Sequence, residues 1–184
     1  MQRKSVDMKR IINDNRLKEA AYHAILEARR WKAIASKVNN EKGLLREVNV
    51  IYSYAIELCF KGLLMINGIN ITKMKLNNGH NLLALFELLP NEIQLDIKDN
   101  VELPKIEVMD FFTGEITDTY TKFEEILNLV SNDFFEKRYV YEKYTNGEAI
   151  LVVDGVLNEI YEYVVKIGNE QINNYLDDIG HEKI

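Results

Sequence analysis

The pattern of apolar and polar residues is helical over most of the chain. In residues 16–38, apolar side chains recur at alternating intervals of four and three, which places them on one side of an α-helix. This stripe consists of Leu17, Ala21, Ala24, Ala28, Trp31, Ala35 and Val38. Because most of these residues are alanine, a neighbouring helix can approach closely. Asn13 or Asp14 is the predicted N-cap, and residues 39–43 are the predicted end.

Two further helices are predicted before residue 100. Residues 44–68 are apolar almost all the way round, which is typical of a helix at the centre of a bundle, and Gly68 is its expected C-terminal cap. Residues 69–79 are a predicted polar connection. Residues 80–100 form the third predicted helix, and Pro90 is expected to bend or end it, with a further helical turn after the proline. The apolar face of this helix consists of Leu82, Leu85, Phe86 and Leu89.

The second half of the chain is less regular. Residues 101–120 have no clean period and are predicted to form a long connection with short strand or turn pieces. Residues 121–144 are a fourth predicted helix, and residues 146–176 are the last. The apolar stripe of the last helix consists of Ala149, Val153, Val156, Ile160, Tyr163 and Ile167. Its first part, AILVV, would also suit a strand, with Asp154 capping a later helix start.

Five amphipathic or buried helices with short connections predict an all-α protein, an antiparallel, up-and-down bundle of four to five helices. The length of 184 residues suits a single domain, with its core at about residues 16–176. With only 2 prolines and 9 glycines, the chain has few positions that would break a helix.

The composition excludes several kinds of protein. One cysteine, Cys59, excludes an intramolecular disulfide and a cysteine-based zinc cluster, and three histidines far apart do not suggest a metal site. No cofactor is therefore expected. The first residues lack the apolar core of a signal peptide, and Glu57 and Lys61 interrupt the most apolar segment. These features predict a cytoplasmic protein without a membrane segment.

The charge is unevenly distributed along the chain. Residues 1–46 hold 12 Lys and Arg against 5 Asp and Glu, a balance of 12 − 5 = +7, whereas the whole chain carries −6. A basic segment on an acidic body could bind a polyanion. The alternative is that it faces the acidic remainder of its own fold or a second subunit.

Charged residues in apolar surroundings mark the candidate site. Glu57 precedes Lys61 by four residues in the most apolar helix, the order that favours an ion pair. Arg138 and Glu142 lie among five aromatic rings in NDFFEKRYVYEKY, residues 132–144. Because a buried charge must be paired, Arg138 is the predicted partner of Glu57. This network either fixes the register of the helices or binds an anionic ligand.

Aromatic and histidine side chains extend the candidate site. His80 begins the third predicted helix, where it either caps the helix or acts as a general acid or base beside an Arg or a carboxylate. Tyr139 and Tyr141 either pack in the core or stack on a base. The sequence has no glycine-rich phosphate-binding motif and no nucleophile–histidine–acid set.

Three blocks of the sequence resemble the HEPN family of small helical domains: YAIELCFKGLLMINGI (54–69), GHNLLALFELLP (79–90) and FFEKRYVYE (134–142). The resemblance implies a four- or five-helix bundle that is usually a homodimer. It also implies a place in toxin–antitoxin, phage-defence or RNA-processing systems. Catalytically active members of the family are metal-independent ribonucleases. They use an Arg and a His separated by four to six intervening residues, near the start of a late helix and paired across the dimer.

This chain departs from that catalytic pattern. Arg138 lies in the matching region, but no histidine follows it until His181. Arg16 and His23 have the required spacing but lie on the first predicted helix, so we interpret that match as a coincidence. The resemblance therefore implies a non-catalytic or divergent member. Its candidate site consists of Glu57, Lys61, His80, Arg138, Tyr139 and Glu142.

Three functions are consistent with the sequence. The first is a dimeric module that binds RNA or a nucleotide, with Arg138, Lys61 and His80 at the phosphate and a tyrosine stacked on a base. The second is a protein-interaction module without chemistry, either antitoxin-like or regulatory, in which the buried charges specify the bundle. The third is a divergent ribonuclease that uses His80 with Arg138.

Overall fold

The computed structural model describes residues 2–38, 45–76, 79–103, 106–109, 113, 115–131 and 155–178. These residues are mostly helical, which confirms the predicted all-α class. In the described part of the chain the elements are α1 (Gln2–Val38), α2 (Leu45–Ile66), α3 (Ile71–Leu76), α4 (Leu82–Glu87), α5 (Asn91–Asn100), β1 (Ile106–Met109), β2 (Ile116–Tyr120), α6 (Phe123–Val130) and α7 (Val156–Asp178).

Helix α1 is longer than the sequence pattern predicts. It begins at Gln2, so Asn13 and Asp14 lie inside the helix and the prediction that one of them is the N-cap is wrong. The physical reason is that residues 2–14 contain neither proline nor glycine, and nothing in them interrupts the backbone hydrogen bonds of a helix. The predicted apolar stripe is confirmed, since its members are buried or pack against the core.

Helix α2 ends as predicted. Gly68 has φ = 79°, a left-handed conformation that glycine adopts without strain. The Gly68 N–H donates to the Met65 carbonyl at 3.0 Å, and the Ile69 N–H donates to the Leu64 carbonyl at 2.8 Å. These two bonds form a Schellman motif, which satisfies the last carbonyl groups of the helix.

The segment after α2 differs from the prediction in one respect. The sequence pattern predicts a polar connection over residues 69–79, but this segment contains the short helix α3. The Asn70 side chain explains its start, because Oδ1 accepts a hydrogen bond from the Lys73 N–H at 3.0 Å.

The predicted effect of Pro90 is confirmed. Helix α4 ends before the proline, and α5 begins directly after it.

The predicted connection 101–120 contains short strand pieces, as expected. Strands β1 and β2 pair antiparallel, with Ile106 opposite Tyr120 and a register irregularity at Val108 and Met109. Helix α6 is the described part of the predicted fourth helix. The choice between helix and strand for residues 146–154 lies outside the described residues.

Three long helices form the centre of the fold. Trp31 of α1 stacks edge-on against Tyr54 of α2, with ring centroids 5.2 Å apart, while Ile25 lies beside Gly62. Since residue numbers rise along α2 as they fall along α1, the two helices are antiparallel. The Tyr52 hydroxyl donates to Asn158 Oδ1 of α7 at 3.0 Å, near the start of both helices. Asn67, directly after α2, donates to Gln171 Oε1 of α7 at 3.0 Å. Because residue numbers rise together along the two helices, α7 runs parallel to α2.

Ile25 lies in a notch between two glycines. It is 1% exposed, and a Cβ added at Gly62 would stand 2.8 Å from its Cδ1 atom. A Cβ added at Gly168, on α7, would stand 2.7 Å from the same atom. Real Cβ contacts are not this short, so the absence of a side chain at both positions allows the three helices to approach closely.

A second group of side chains joins the shorter helices to this centre. Phe86 of α4 packs between Phe60 of α2 and Phe123 of α6, with ring centroids 5.9 Å and 4.9 Å away. All three rings are buried, and such tilted aromatic pairs stabilise a core beyond simple burial. This packing holds α4 against α2, and the residue pair His80 and Glu57 meets just before the start of α4, where the candidate site lies.

One ion pair bears on the uneven charge of the chain. The Lys32 ammonium of α1 lies 2.6 Å from the Glu162 carboxylate of α7, and this hydrogen bond raises the pKa of Lys32. At least this part of the basic segment therefore faces the acidic remainder of its own fold. Because both side chains are partly exposed, the pair contributes little to stability.

Within the described residues, one segment has the length and hydropathy of a membrane span, Glu47–Ile66 of α2. However, 67% of it is buried inside the fold. A core helix of a soluble protein has the same composition, so the finding is compatible with a soluble protein.

Candidate functional site

The candidate site is built around a carboxylate in the core helix. Glu57 is 7% exposed, and its neighbours along α2, Ile56, Cys59 and Phe60, are fully buried. An isolated carboxylate in such surroundings would lose its hydration at a high cost. The groups that form ion pairs or hydrogen bonds with Glu57 must therefore compensate for this cost.

Lys61 is the first of these partners. Its Nζ atom lies 2.5 Å from Glu57 Oε1, one helical turn away, and the Lys61 side chain is 23% exposed. The predicted ion pair between Glu57 and Lys61 is therefore observed. The carboxylate side of the pair is therefore buried, whereas the lysine side chain keeps part of its surface in water.

His80 is the second partner and the most accessible. Its Nδ1 atom lies 3.1 Å from the same Glu57 oxygen, but 62% of the imidazole side chain is exposed. A buried carboxylate thus holds an imidazole that lies mainly in solvent. The hydrogen bond sets the orientation of the ring and favours the tautomer with its proton on Nδ1.

The prediction that His80 caps the helix is wrong, because Asn81 is the cap. Asn81 Oδ1 accepts a hydrogen bond from the Ala84 N–H at 2.8 Å, and α4 begins at Leu82. The physical reason is that an asparagine oxygen one residue before a helix can reach the exposed N–H groups of the first turn. The general acid or base alternative requires an Arg or a carboxylate within hydrogen-bond reach of His80, and the Glu57 carboxylate meets this requirement.

A stripe of buried polar residues extends from Glu57 toward the start of α2. Asn49, Ser53 and Glu57 are four residues apart, so they share one face, and they are 3%, 5% and 7% exposed. The Ser53 hydroxyl has no hydrogen-bond partner among the described residues. Asn49 is not among the site residues predicted from the sequence, although a polar residue at every fourth position of an apolar helix is a visible signal.

Ser131 connects the site to the segment that follows α6. Its hydroxyl donates to the Leu127 carbonyl and accepts from the Leu83 N–H at 3.3 Å. The end of α6 therefore lies beside the start of α4, close in sequence to His80. No sequence pattern predicts this contact, because it depends on how α4 and α6 meet.

Three predicted site residues, Arg138, Tyr139 and Glu142, lie outside the described residues, and so does the predicted pair of Glu57 with Arg138. The structure therefore brings together Glu57, Lys61 and His80 of the six. Arg16 and His23, which have the family's catalytic spacing, are exposed on α1.

The described residues show no group of three or more His, Cys, Asp or Glu side chains that could hold a metal ion. Cys59 is fully buried, and burial raises the pKa of its thiol well above the ordinary value, so this sulfur is not a reactive thiolate.

No protein-family model, curated protein or solved structure matches this chain. The likeness to the HEPN family therefore rests on the three sequence blocks alone.

Proposed function

We propose that this protein is a HEPN-like helical bundle that acts as a homodimer and binds RNA or a nucleotide, in a prokaryotic defence or toxin–antitoxin system. The up-and-down topology is part of the proposal. It is supported by the direction of the long helices, since α1 is antiparallel to both α2 and α7, as the first helix of a four-helix bundle is to the second and fourth.

The observation that carries the proposed binding function is the exposed imidazole of His80 held by the buried carboxylate of Glu57. Because the ring already has a fixed orientation, a ligand that binds to it does not have to reduce the conformational entropy of the side chain further. Lys61 adds a positive group at the edge of the same cluster. A phosphate can accept hydrogen bonds from both kinds of side chain.

A nucleotide site would also need a group that binds the phosphate strongly and an aromatic ring for the base, and the sequence after α6 contains both kinds of residue. Arg138 can bind a phosphate through two parallel hydrogen bonds, and Tyr139 or Tyr141 can stack on a base. We propose that these residues join the cluster of Glu57, Lys61 and His80, since the chain leaves α6 beside α4.

Binding of single-stranded RNA tests this proposal. A fluorescently labelled mixed-sequence oligonucleotide should bind with an affinity that falls as the salt concentration rises, because phosphate contacts release counterions. His80→Ala should weaken binding by about fivefold to tenfold at low salt, the usual effect of one charge-assisted hydrogen bond. Fluorescence anisotropy measures both effects.

His23→Ala is the matched control, because His23 is also an exposed histidine but lies on α1. It should leave the affinity unchanged. An affinity that does not depend on salt, or equal effects of the two substitutions, would contradict the proposal. RNA cleavage that requires His80 would instead assign a general-base role to the Glu57–His80 pair and favour the divergent ribonuclease.

A further inference from the structure

His80 directly precedes the first turn of α4, and two side chains complete the hydrogen bonds of that turn. The first N–H groups of a helix have no acceptor within the helix itself. Asn81 Oδ1 accepts from the Ala84 N–H at 2.8 Å. Ser131 Oγ, at the C-cap of α6, accepts from the Leu83 N–H at 3.3 Å. A residue from a distant segment therefore helps to define where α4 begins.

The Ser131 hydroxyl is held in one direction. Ser131 is 6% exposed, and its hydroxyl donates to the Leu127 carbonyl of α6. A hydroxyl group has one proton and two lone pairs, so this donation leaves the oxygen as an acceptor for the Leu83 N–H. Asn81 Oδ1 lies 3.5 Å from the same oxygen. Ser131 thus connects the end of α6 to both the cap and the first turn of α4.

The contact of His80 with Glu57 depends on the position of this first turn. Glu57 is part of the long helix α2, whereas His80 is attached to α4 through Asn81. Phe86 anchors α4 between α2 and α6, but it lies more than one helical turn after His80. Because α4 has only 6 residues, it is not stable without tertiary contacts. A shift of its first turn would change the distance from His80 Nδ1 to Glu57 Oε1, which is 3.1 Å.

We infer that Ser131 is a positioning residue for His80, which it holds against Glu57 through the first turn of α4. The inference rests on the proposed function, in which His80 binds a phosphate group, and it makes the end of α6 part of the control of that site. Without the Ser131 hydroxyl, the Leu83 N–H loses its acceptor. The first turn then opens more often, because a helix end with unsatisfied N–H groups is less stable.

The ¹⁵N signals of the His80 ring, recorded without RNA and at a pH where the imidazole is neutral, test this role. Ser131→Ala should lower the ratio of rings protonated on Nδ1 to rings protonated on Nε2 by about fivefold, the usual effect of losing one capping hydrogen bond. Asn81→Ala removes the other acceptor of the same turn and should lower the ratio similarly. If one of the two variants does not fold, the other still provides the test.

The affinity for single-stranded RNA provides a second readout. Ser131→Ala should weaken binding by about twofold to fivefold, somewhat less than the loss of the imidazole itself. In the His80→Ala background, the same substitution should have no further effect, because a positioning residue acts only through the group that it positions.

Asn70→Ala is the matched control, because Asn70 caps α3, a second helix of 6 residues, through the Lys73 N–H. It removes a cap of the same kind and should leave the His80 tautomer ratio unchanged. The inference is overturned if Ser131→Ala leaves this ratio at the wild-type value, or if Asn70→Ala lowers it equally. It is also overturned if Ser131→Ala weakens RNA binding equally with and without His80. The expected tautomer ratios in a chain that does not bind RNA would support the positioning role and reject the proposed binding function, so the two failures are distinguishable.

Discussion

Gly62→Ala or Gly168→Ala should lower the free energy of unfolding by about 1–3 kcal/mol, although alanine is the better helix former at both positions. The reason is the Ile25 side chain, which is buried between the two glycines. If Cδ1 moves away from a methyl group at one position, it approaches the backbone at the other. The strain must then move one of the three long helices.

The two substitutions should respond differently to a shorter side chain at position 25. A Cβ at Gly168 would meet mainly the Cδ1 atom of Ile25, at 2.7 Å, with Cγ1 at 3.4 Å. Ile25→Val removes Cδ1 and should therefore recover most of the stability of Gly168→Ala. A Cβ at Gly62 would also lie 2.9 Å from Cγ1, so the same substitution should recover only part.

Urea unfolding of the single and double variants measures this coupling. Asn174→Ala is the control, because Asn174 is exposed on α7 and its replacement should change stability by less than about 0.5 kcal/mol. Additive effects of the position 25 and position 168 changes would mean that Ile25 does not occupy the notch.

Glu57→Leu should lower the free energy of unfolding by about 2–3 kcal/mol. The substitution leaves the Lys61 ammonium without its carboxylate in a largely buried position, and breaking a buried pair from one side costs more than removing both members. The partial exposure of Lys61 places the expected cost below the values found for fully buried pairs.

The double variant Glu57→Leu with Lys61→Met separates this explanation from simple loss of packing. It removes both charges and should return to within about 1 kcal/mol of the wild type. Chemical denaturation of the wild type, Glu57→Leu, Lys61→Met and the double variant gives a complete double-mutant cycle. Glu92→Leu is the control, because Glu92 is exposed. If Glu57→Leu alone were as stable as the wild type, the ion pair of Glu57 with Lys61 would not contribute to the stability of the site.

The parts of the fold that follow from local pattern could be predicted from the sequence. The end of α2 at Gly68 and the break at Pro90 depend on backbone properties of one residue, and the pair of Glu57 with Lys61 depends on the spacing of a single helix. The early start of α1 was not predicted, because Asn13 and Asp14 resemble caps but lie in an uninterrupted helix.

The rest of the site depends on contacts between distant segments. Nothing local indicates that His80 would face Glu57, or that Ser131 would bond to the start of α4, since both result from the packing of α4 against α2 and α6. The sequence pattern predicts only short strand pieces in place of the hairpin, because its strands are too short to show a clear period.

The ¹⁵N NMR spectrum of the His80 imidazole tests the central claim most directly. In the neutral wild-type ring, the proton should lie on Nδ1, where it can be donated to Glu57, and Glu57→Leu should remove this preference. Addition of single-stranded RNA should then shift the His80 ring signals and leave those of His23 in place. A ring protonated mainly on Nε2, or RNA binding that leaves the His80 signals unchanged, would contradict the account.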